Sequence, residues 1–106
     1  MLRSRLTDPA RQEFAEAVRW YRTNQGAERA TGFRNAVKRV VARACRFPLS
    51  ASIIEHIDDL DLHGFVVTGY PYTVVAAPSG RELIVYAVAH HSREPGYWKQ
   101  QFTQPP

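Results

Sequence analysis

A continuous apolar run in the C-terminal third of the chain constrains the fold more than any other stretch. Residues Leu83 to Ala89 read LIVYAVA, and the run ends abruptly at His90, His91, Ser92 and Arg93. An unbroken apolar run of this length is typical of a strand buried on both faces of a sheet. Polar residues gathered at the end of such a strand mark a common place for a site. The rest of the chain is therefore expected to supply partner strands and a helical layer for one face.

Two amphipathic helices are predicted ahead of this strand. Asp8 followed by Pro9 marks the start of the first helix, with Asp8 as the capping residue and Pro9 at the first position. This helix is predicted to end at residues 24–26, and the second to run from residue 27 or 28 to Phe47-Pro48. Because about three residues connect them, the two helices are predicted to form an antiparallel hairpin. Apolar residues recur at helical spacing in both: Ala10, Phe14, Ala17, Val18 and Tyr21 in the first, and Ala30, Phe33, Val37, Val40, Val41 and Ala44 in the second.

The remaining segments favour strands. In residues 1–7, Leu2, Ser4 and Leu6 alternate with Arg3, Arg5 and Thr7, which permits an edge strand. Ile53 to Ile57 is a candidate short strand before a turn at Asp58–Asp61. After the helices, strands are predicted at Phe65–Thr68, Tyr72–Ala76 and Glu82–His90, with turns at 69–71 and 78–80. The predicted fold is α+β, in the order β-α-α-β-β-β. An N-terminal strand and an antiparallel helical hairpin pack on an antiparallel β-meander.

Composition favours one folded domain in a reducing compartment. A length of 106 residues with 44% hydrophobic and 23% charged residues fits a single domain over residues 1–106. Cys45 is the only cysteine, so no internal disulfide can form. The sequence has neither a signal-peptide pattern nor an apolar run near the ~20 residues of a membrane span. These features predict a cytoplasmic protein.

Charge is distributed unevenly along the chain. Residues 1–46 carry eleven Arg or Lys against four Asp or Glu, a net of +7, whereas residues 47–106 carry three against six, a net of −3. This asymmetry indicates a basic surface that could meet nucleic acid or an acidic protein segment. The alternative is a solvated helix face without a partner.

The order and spacing of several motifs resemble the RelE/ParE superfamily of bacterial toxins. The matching pieces, which extend from Leu6 to Trp98, are Trp20-Tyr21, Phe33, Phe47-Pro48, Tyr70-Pro71-Tyr72, and His90, Arg93, Pro95, Gly96, Tyr97 and Trp98. The resemblance implies the toxin of a type II toxin–antitoxin module, whose partner is a small antitoxin with a C-terminal segment that wraps the toxin. RelE-like members cleave mRNA on the ribosome, whereas ParE-like members inhibit DNA gyrase. A third alternative is an inactive homologue that only binds its antitoxin.

Three residues at the end of the last strand are the candidate catalytic groups. Metal-free RNA cleavage needs a base for the 2′-OH, charge stabilisation at the phosphate and an acid for the leaving oxygen. His90 suits an acid or base, Arg93 a phosphate clamp and Tyr97 a further proton donor. Their structural alternatives are a hydrogen-bonded strand-end histidine, an arginine paired with Glu94, and an aromatic residue that closes the core.

The scarcity of nearby cations favours the ParE-like function over the RelE-like one. Between residues 53 and 90 the only Arg or Lys is Arg81, at a predicted turn, although a site that holds a polyanion normally brings several cations. Candidate partner-binding residues lie on the helices instead: Trp20, Arg34, Lys38, Arg39 and Arg43. No metal site or cofactor is expected, because the sequence has no Gly-rich phosphate loop and no tight ligand spacing, and His90 and His91 point to opposite faces of a strand.

Overall fold

The apolar run that organises the sequence forms the fifth strand of a five-stranded sheet. In the computed structural model, which describes residues 1–103, the elements are β1 (Arg3–Leu6), α1 (Asp8–Gln25), α2 (Ala27–Arg46), β2 (Ile53–Ile57), β3 (Leu60–Val66), β4 (Tyr72–Ser79) and β5 (Glu82–His90). A 3₁₀ turn (Tyr97–Lys99) and a single-turn helix, α3 (Gln100–Thr103), follow. The predicted α+β fold, with a helical hairpin packed on a sheet, is confirmed.

The sheet is mixed, with strand order β1-β5-β4-β3-β2. Strands β2 to β5 form an antiparallel meander, whereas β1 pairs in parallel with β5 from Glu82 to Val85. The predicted order lacked one strand, because β2 extends the meander to four. β2 is a weak sequence signal since it lies at the sheet edge, where Ile53 and Ile54 are exposed. β1 pairs only with the first half of β5. The backbone of the second half therefore needs a different hydrogen-bond partner on that edge.

Two strands have boundaries that differ from the predicted ones, and β3 also ends earlier, at Val66 rather than Thr68. β3 begins at Leu60 rather than Phe65, because the turn is confined to Asp58, which has φ = 54°, and Asp59. β4 continues through Pro78, which was predicted to lie in a turn. Pro78 pairs with Leu83 but lies beyond the last β3–β4 pair, so its missing N–H breaks no bond to β3.

The sheet separates two apolar clusters. The helical hairpin covers one face, where Phe33 is fully buried and its ring packs within about 4.8–6.0 Å of the rings of Phe14, Tyr21, Tyr70 and Tyr72. Trp98 belongs to the smaller cluster on the opposite face, with Leu62, Val75, Ala77, Ala87 and Ala89. β5 contributes to both clusters and is therefore buried on both faces, as predicted. Within residues 1–103, no helix combines the length and apolarity needed to cross a bilayer.

The helix ends follow the sequence signals with one correction. α1 ends at Gln25 before Gly26, which adopts φ = 94°, and α2 ends at Arg46 before Phe47. The cap of α1, however, is Thr7 rather than Asp8: the Thr7 Oγ1 accepts the Ala10 N–H at 3.3 Å. Asp8 is the first helical residue, where its charge favours the positive end of the helix dipole.

Thr7→Ala is expected to lower the free energy of unfolding by about 1 kcal/mol, because it removes the side-chain acceptor of the Ala10 N–H. Thr7→Ser retains that acceptor and is expected to lose less than half as much. Urea unfolding of the three proteins provides the measurement. Equal losses in both variants would assign the effect to the Thr7 methyl group instead of the cap.

Candidate functional site

Two of the three candidate catalytic residues, Arg93 and Tyr97, contact a carboxylate that the sequence analysis did not single out. Glu13 reaches from α1 to the second half of β5, where β1 no longer provides a neighbouring strand. Its Oε1 accepts the Val88 N–H at 3.0 Å, and its Oε2 accepts the Tyr97 hydroxyl proton. Arg93 Nη1 lies 3.6 Å from the same Oε2. We refer to the Glu13 carboxylate, the Val88 N–H, Arg93 and Tyr97 as the Glu13 network.

The network shifts the acidities of its members in a direction that opposes proton transfer from Tyr97. Burial raises the pKa of Glu13, and the bonds from Tyr97 and Val88 and the charge of Arg93 only partly oppose this rise. Burial also raises the pKa of Tyr97, and its hydrogen bond to Glu13 raises it further. Tyr97 therefore holds its proton firmly and directs it to Glu13.

Arg93 is shared between two groups of the same network. Its guanidinium carbon lies 3.8 Å from the centroid of the Tyr97 ring, a cation–π geometry, in addition to the ion pair with Glu13. The carboxylate that pairs with Arg93 is thus Glu13 rather than Glu94. The Arg93 side chain is 54% exposed, so solvent screens the pair and limits its strength.

His90 is held by its own turn. The Ser92 N–H donates to His90 Nδ1 at 3.0 Å, and Ser92 Oγ lies 2.7 Å from the same nitrogen. A neutral His90 with this bond carries its proton on Nε2. The Tyr72 ring packs edge-to-face against the imidazole, with centroids 4.9 Å apart. His91 makes a separate contact, with Thr73 Oγ1 at 3.0 Å from its Nε2.

A shallow groove of about 240 Å³ brings two of the candidate catalytic residues, His90 and Arg93, together with Trp20. Its lining includes Glu13, Trp20, Tyr72, His90 and Arg93. Trp20 is 52% exposed and packs at right angles to Tyr21. The structure therefore places Trp20 beside His90, whereas the sequence analysis grouped it with the cations of α2.

The four predicted partner-binding cations of α2 (Arg34, Lys38, Arg39 and Arg43) are all exposed, but they do not form one surface. Arg39 and Arg43 line a groove of about 570 Å³ with Arg46, Phe47, Val40 and Thr68, which we call the Phe47 groove. Arg34 instead lies over the junction of the two helices, with Arg11, Arg19 and Arg22 of α1; we call these four residues the arginine seam. Lys38 follows Arg34 by one helical turn on the same stripe.

Glu13 could be recognised as part of the candidate site only from the structure. Its hydrogen-bond partners lie in β5 and in the segment after it, far away in sequence. The single local signal is that Glu13 falls three residues after Ala10 and four before Ala17, both of which are buried on the inner face of α1. A carboxylate at the edge of an apolar stripe faces the core boundary, where an unpaired backbone N–H is a suitable partner.

Comparison with known proteins defines first the fold and then the family. A solved structure described as "Chromosomal ParDE TA system from P. aeruginosa" has a similar fold, with a TM-score of 0.62 at 15% identity over 85% of this chain and 96% of that chain. The family model for the ParE toxin of the type II toxin–antitoxin system, parDE, matches residues 5–95. The chain therefore belongs to the ParE toxin family, which confirms the superfamily inferred from the motifs. No curated protein matches it.

Proposed function

We propose that this protein is a growth-inhibiting toxin that binds DNA gyrase, that it does not cut RNA, and that a cognate antitoxin neutralises it. Membership of the ParE toxin family supports the toxin assignment. The Glu13 network is the observation that supports gyrase binding over RNA cleavage. It already engages Arg93 and Tyr97, two of the three residues that RNA cleavage would use.

This site offers few free groups that could act as the acid, the base or the phosphate clamp of RNA cleavage. The Tyr97 proton is directed to Glu13 and its pKa is raised, so Tyr97 is a weak candidate to protonate a leaving oxygen. Arg93 already faces the Glu13 carboxylate and the Tyr97 ring, so a phosphate would have to displace an existing partner. His90 alone remains to act as acid or base, and one histidine cannot accept the 2′-OH proton and protonate the leaving oxygen in the same step.

The Phe47 groove has the features of a protein-binding surface. Phe47 is 53% exposed, and Leu49 beside it in sequence is 70% exposed. No carboxylate lies within ion-pair distance of Arg39, Arg43 or Arg46 in residues 1–103. An exposed aromatic anchor surrounded by unpaired arginines suits an amphipathic segment that carries acidic residues. We assign this groove to the antitoxin, in keeping with the ParDE system to which the fold is similar.

The mechanism is tested by adding the purified protein to a gyrase supercoiling assay and, in parallel, to translating ribosomes with mapped mRNA ends. Inhibited supercoiling with intact mRNA is expected. Codon-phased cuts in the mRNA with normal supercoiling would establish the RelE-like nuclease instead. Absence of both effects, together with binding of the antitoxin, would indicate an inactive homologue.

Two double variants test the groove at His90 and Arg93 and the Phe47 groove independently. His90→Ala combined with Arg93→Ala is expected to retain growth arrest, because the proposed mechanism makes no use of bond-breaking groups. Arg39→Glu combined with Arg43→Glu is expected to weaken antitoxin binding by more than tenfold, or more than about 1.4 kcal/mol. Thermal unfolding confirms that each variant is folded. Loss of toxicity in a folded His90/Arg93 variant would count against the protein-binding mechanism.

A further inference from the structure

We propose that the arginine seam, formed by Arg11, Arg19, Arg22 and Arg34, binds the phosphodiester backbone of duplex DNA. This inference goes beyond the proposed gyrase inhibition and antitoxin binding, since the antitoxin is assigned to the Phe47 groove and neither proposal was argued from the seam. It rests on the position, exposure and composition of the seam.

The seam concentrates positive charge without internal compensation. The four arginines surround a groove of about 310 Å³ at the junction of α1 and α2, and all four are exposed. In the described part of the chain, none of their guanidinium groups lies within 4.0 Å of a carboxylate oxygen or makes a side-chain hydrogen bond. The two glutamates of α1 point elsewhere: Glu13 faces β5, and Glu16 accepts a hydrogen bond from Gln12. An anion that reaches the seam therefore meets free donors.

The chemistry of the seam favours phosphate over a protein partner. Every cation that lines it is an arginine, whose planar fork matches phosphate oxygens in pairs. The large exposed apolar side chains of residues 1–103 lie elsewhere, including Phe47 and Trp20, so the seam offers no anchor for a protein hot spot. The Phe47 groove combines arginines with such an anchor, and this contrast separates the two surfaces.

The shape of the seam favours a double helix over a single strand. Single-stranded nucleic acid is bound by stacking of bases on exposed aromatic rings, and Phe14, the aromatic residue in the seam, is half-buried against Phe33. Arg11 and Arg22 are separated by roughly 16 Å along the helix axis at ~1.5 Å per residue. Each strand of DNA carries a phosphate every ~3.4 Å along its axis, so this row of arginines can span several phosphates.

The binding test uses the full chain and a fluorescent DNA duplex of arbitrary sequence, about 20 base pairs long and followed by anisotropy between about 50 and 200 mM salt. The seam variant combines Arg19→Gln, Arg22→Gln and Arg34→Gln. The matched control combines Arg39→Gln, Arg43→Gln and Arg46→Gln, which removes the same charge from the Phe47 groove. The seam variant is expected to bind at least about tenfold more weakly, with a salt dependence reduced by about 0.9 for each lost phosphate contact. The control is expected to stay within about threefold of the unmodified protein.

Modification with phenylglyoxal gives a second measurement that needs no variant. Bound duplex DNA is expected to protect Arg19, Arg22 and Arg34 from the reagent and to leave Arg39 and Arg43 reactive. Equal loss of binding in the two triple variants, or equal protection of both surfaces, would overturn the proposal in favour of diffuse attraction. Absence of DNA binding at low salt would also overturn it, as would tighter binding of a duplex RNA or of polyglutamate at the same charge concentration. Because gyrase is absent from these experiments, either proposal can fail without the other.

Discussion

Glu13→Ala is expected to lower the free energy of unfolding by about 2–4 kcal/mol, which is a large share of the stability of a small domain. The substitution removes the acceptor of the Val88 N–H and of the Tyr97 hydroxyl, both of which lie in partly buried surroundings. A partly buried donor left without an acceptor carries a desolvation penalty of ~1–3 kcal/mol. Arg93 loses its ion pair as well, although its exposure makes that loss small. Urea unfolding measures the change.

Two control substitutions distinguish the loss of the Glu13 network from a general effect of replacing a glutamate in α1. Glu13→Gln keeps an acceptor for the Val88 N–H but loses the second oxygen, which accepts the Tyr97 hydroxyl, so a loss of about 1 kcal/mol is expected. Glu16→Ala alters an exposed glutamate of the same helix and is expected to change stability by less than about 0.5 kcal/mol. If Glu13→Ala and Glu16→Ala changed the free energy of unfolding equally, the Glu13 network would not stabilise the fold.

The pH dependence of Glu13 has a defined sign. Its pKa in the folded protein lies above the ordinary value of 4.5, so just above that pH the folded state retains a proton that the unfolded chain has released. The contribution of Glu13 to stability is therefore largest at low pH and falls as the pH rises through this window. Relative to Glu13→Gln, the unmodified protein is expected to lose stability between about pH 4.5 and neutral pH. A relative gain over that range would contradict the assignment.

Phe33→Ala is expected to lower the free energy of unfolding by about 3–5 kcal/mol and to leave much of the protein unfolded at 37 °C. Phe33 is fully buried, and its ring contacts aromatic rings from α1 and from the turn and start of β4. The truncation leaves a cavity where both helices meet the sheet, and it removes several aromatic pairs at once. Calorimetry or urea unfolding gives the magnitude.

Trp20→Ala provides the matched control, because it also removes a large aromatic ring from the helical hairpin. Trp20 is half exposed, so its removal is expected to cost about 1 kcal/mol or less. A loss of growth arrest in this stable variant would place Trp20 in a binding surface. A loss of stability as large as that of Phe33→Ala would contradict the burial that distinguishes the two residues.

The fold was predictable wherever local patterns and the core agreed. The LIVYAVA run, the apolar stripes of α1 and α2, and the Phe47-Pro48 stop each gave the correct element. Errors arose where tertiary pairing decides the outcome. Pro78 lies in β4 because no β3 residue pairs with it, and the cap is Thr7 because its hydroxyl, rather than the Asp8 carboxylate, meets the Ala10 N–H.

Candidate site residues could be named from the sequence, where their roles stay predictions, but the contacts between them could not be derived from it. His90, Arg93 and Tyr97 were identified from their spacing at the end of a strand, yet the group that joins Arg93 to Tyr97 comes from a helix at the other end of the chain. The division of the α2 cations between two surfaces likewise depends on how α1 packs beside α2. Sequence spacing places residues on a face, but only the packed neighbour defines the surface to which that face belongs.

The parallel pairing of β1 with β5 has a consequence for synthesis on the ribosome. Arg3 pairs with Glu82, and Glu13 is bonded by Val88 and Tyr97, so β1 and α1 acquire these partners only after the last third of this sequence has been made. The helical hairpin can form early because its contacts are local, whereas the sheet edge must close late. A nascent chain that has not reached β5 lacks the complete sheet, and one that has not reached Tyr97 lacks the complete Glu13 network. The carboxylate that α1 presents thus has no full set of partners until the segment after β5 has been synthesised.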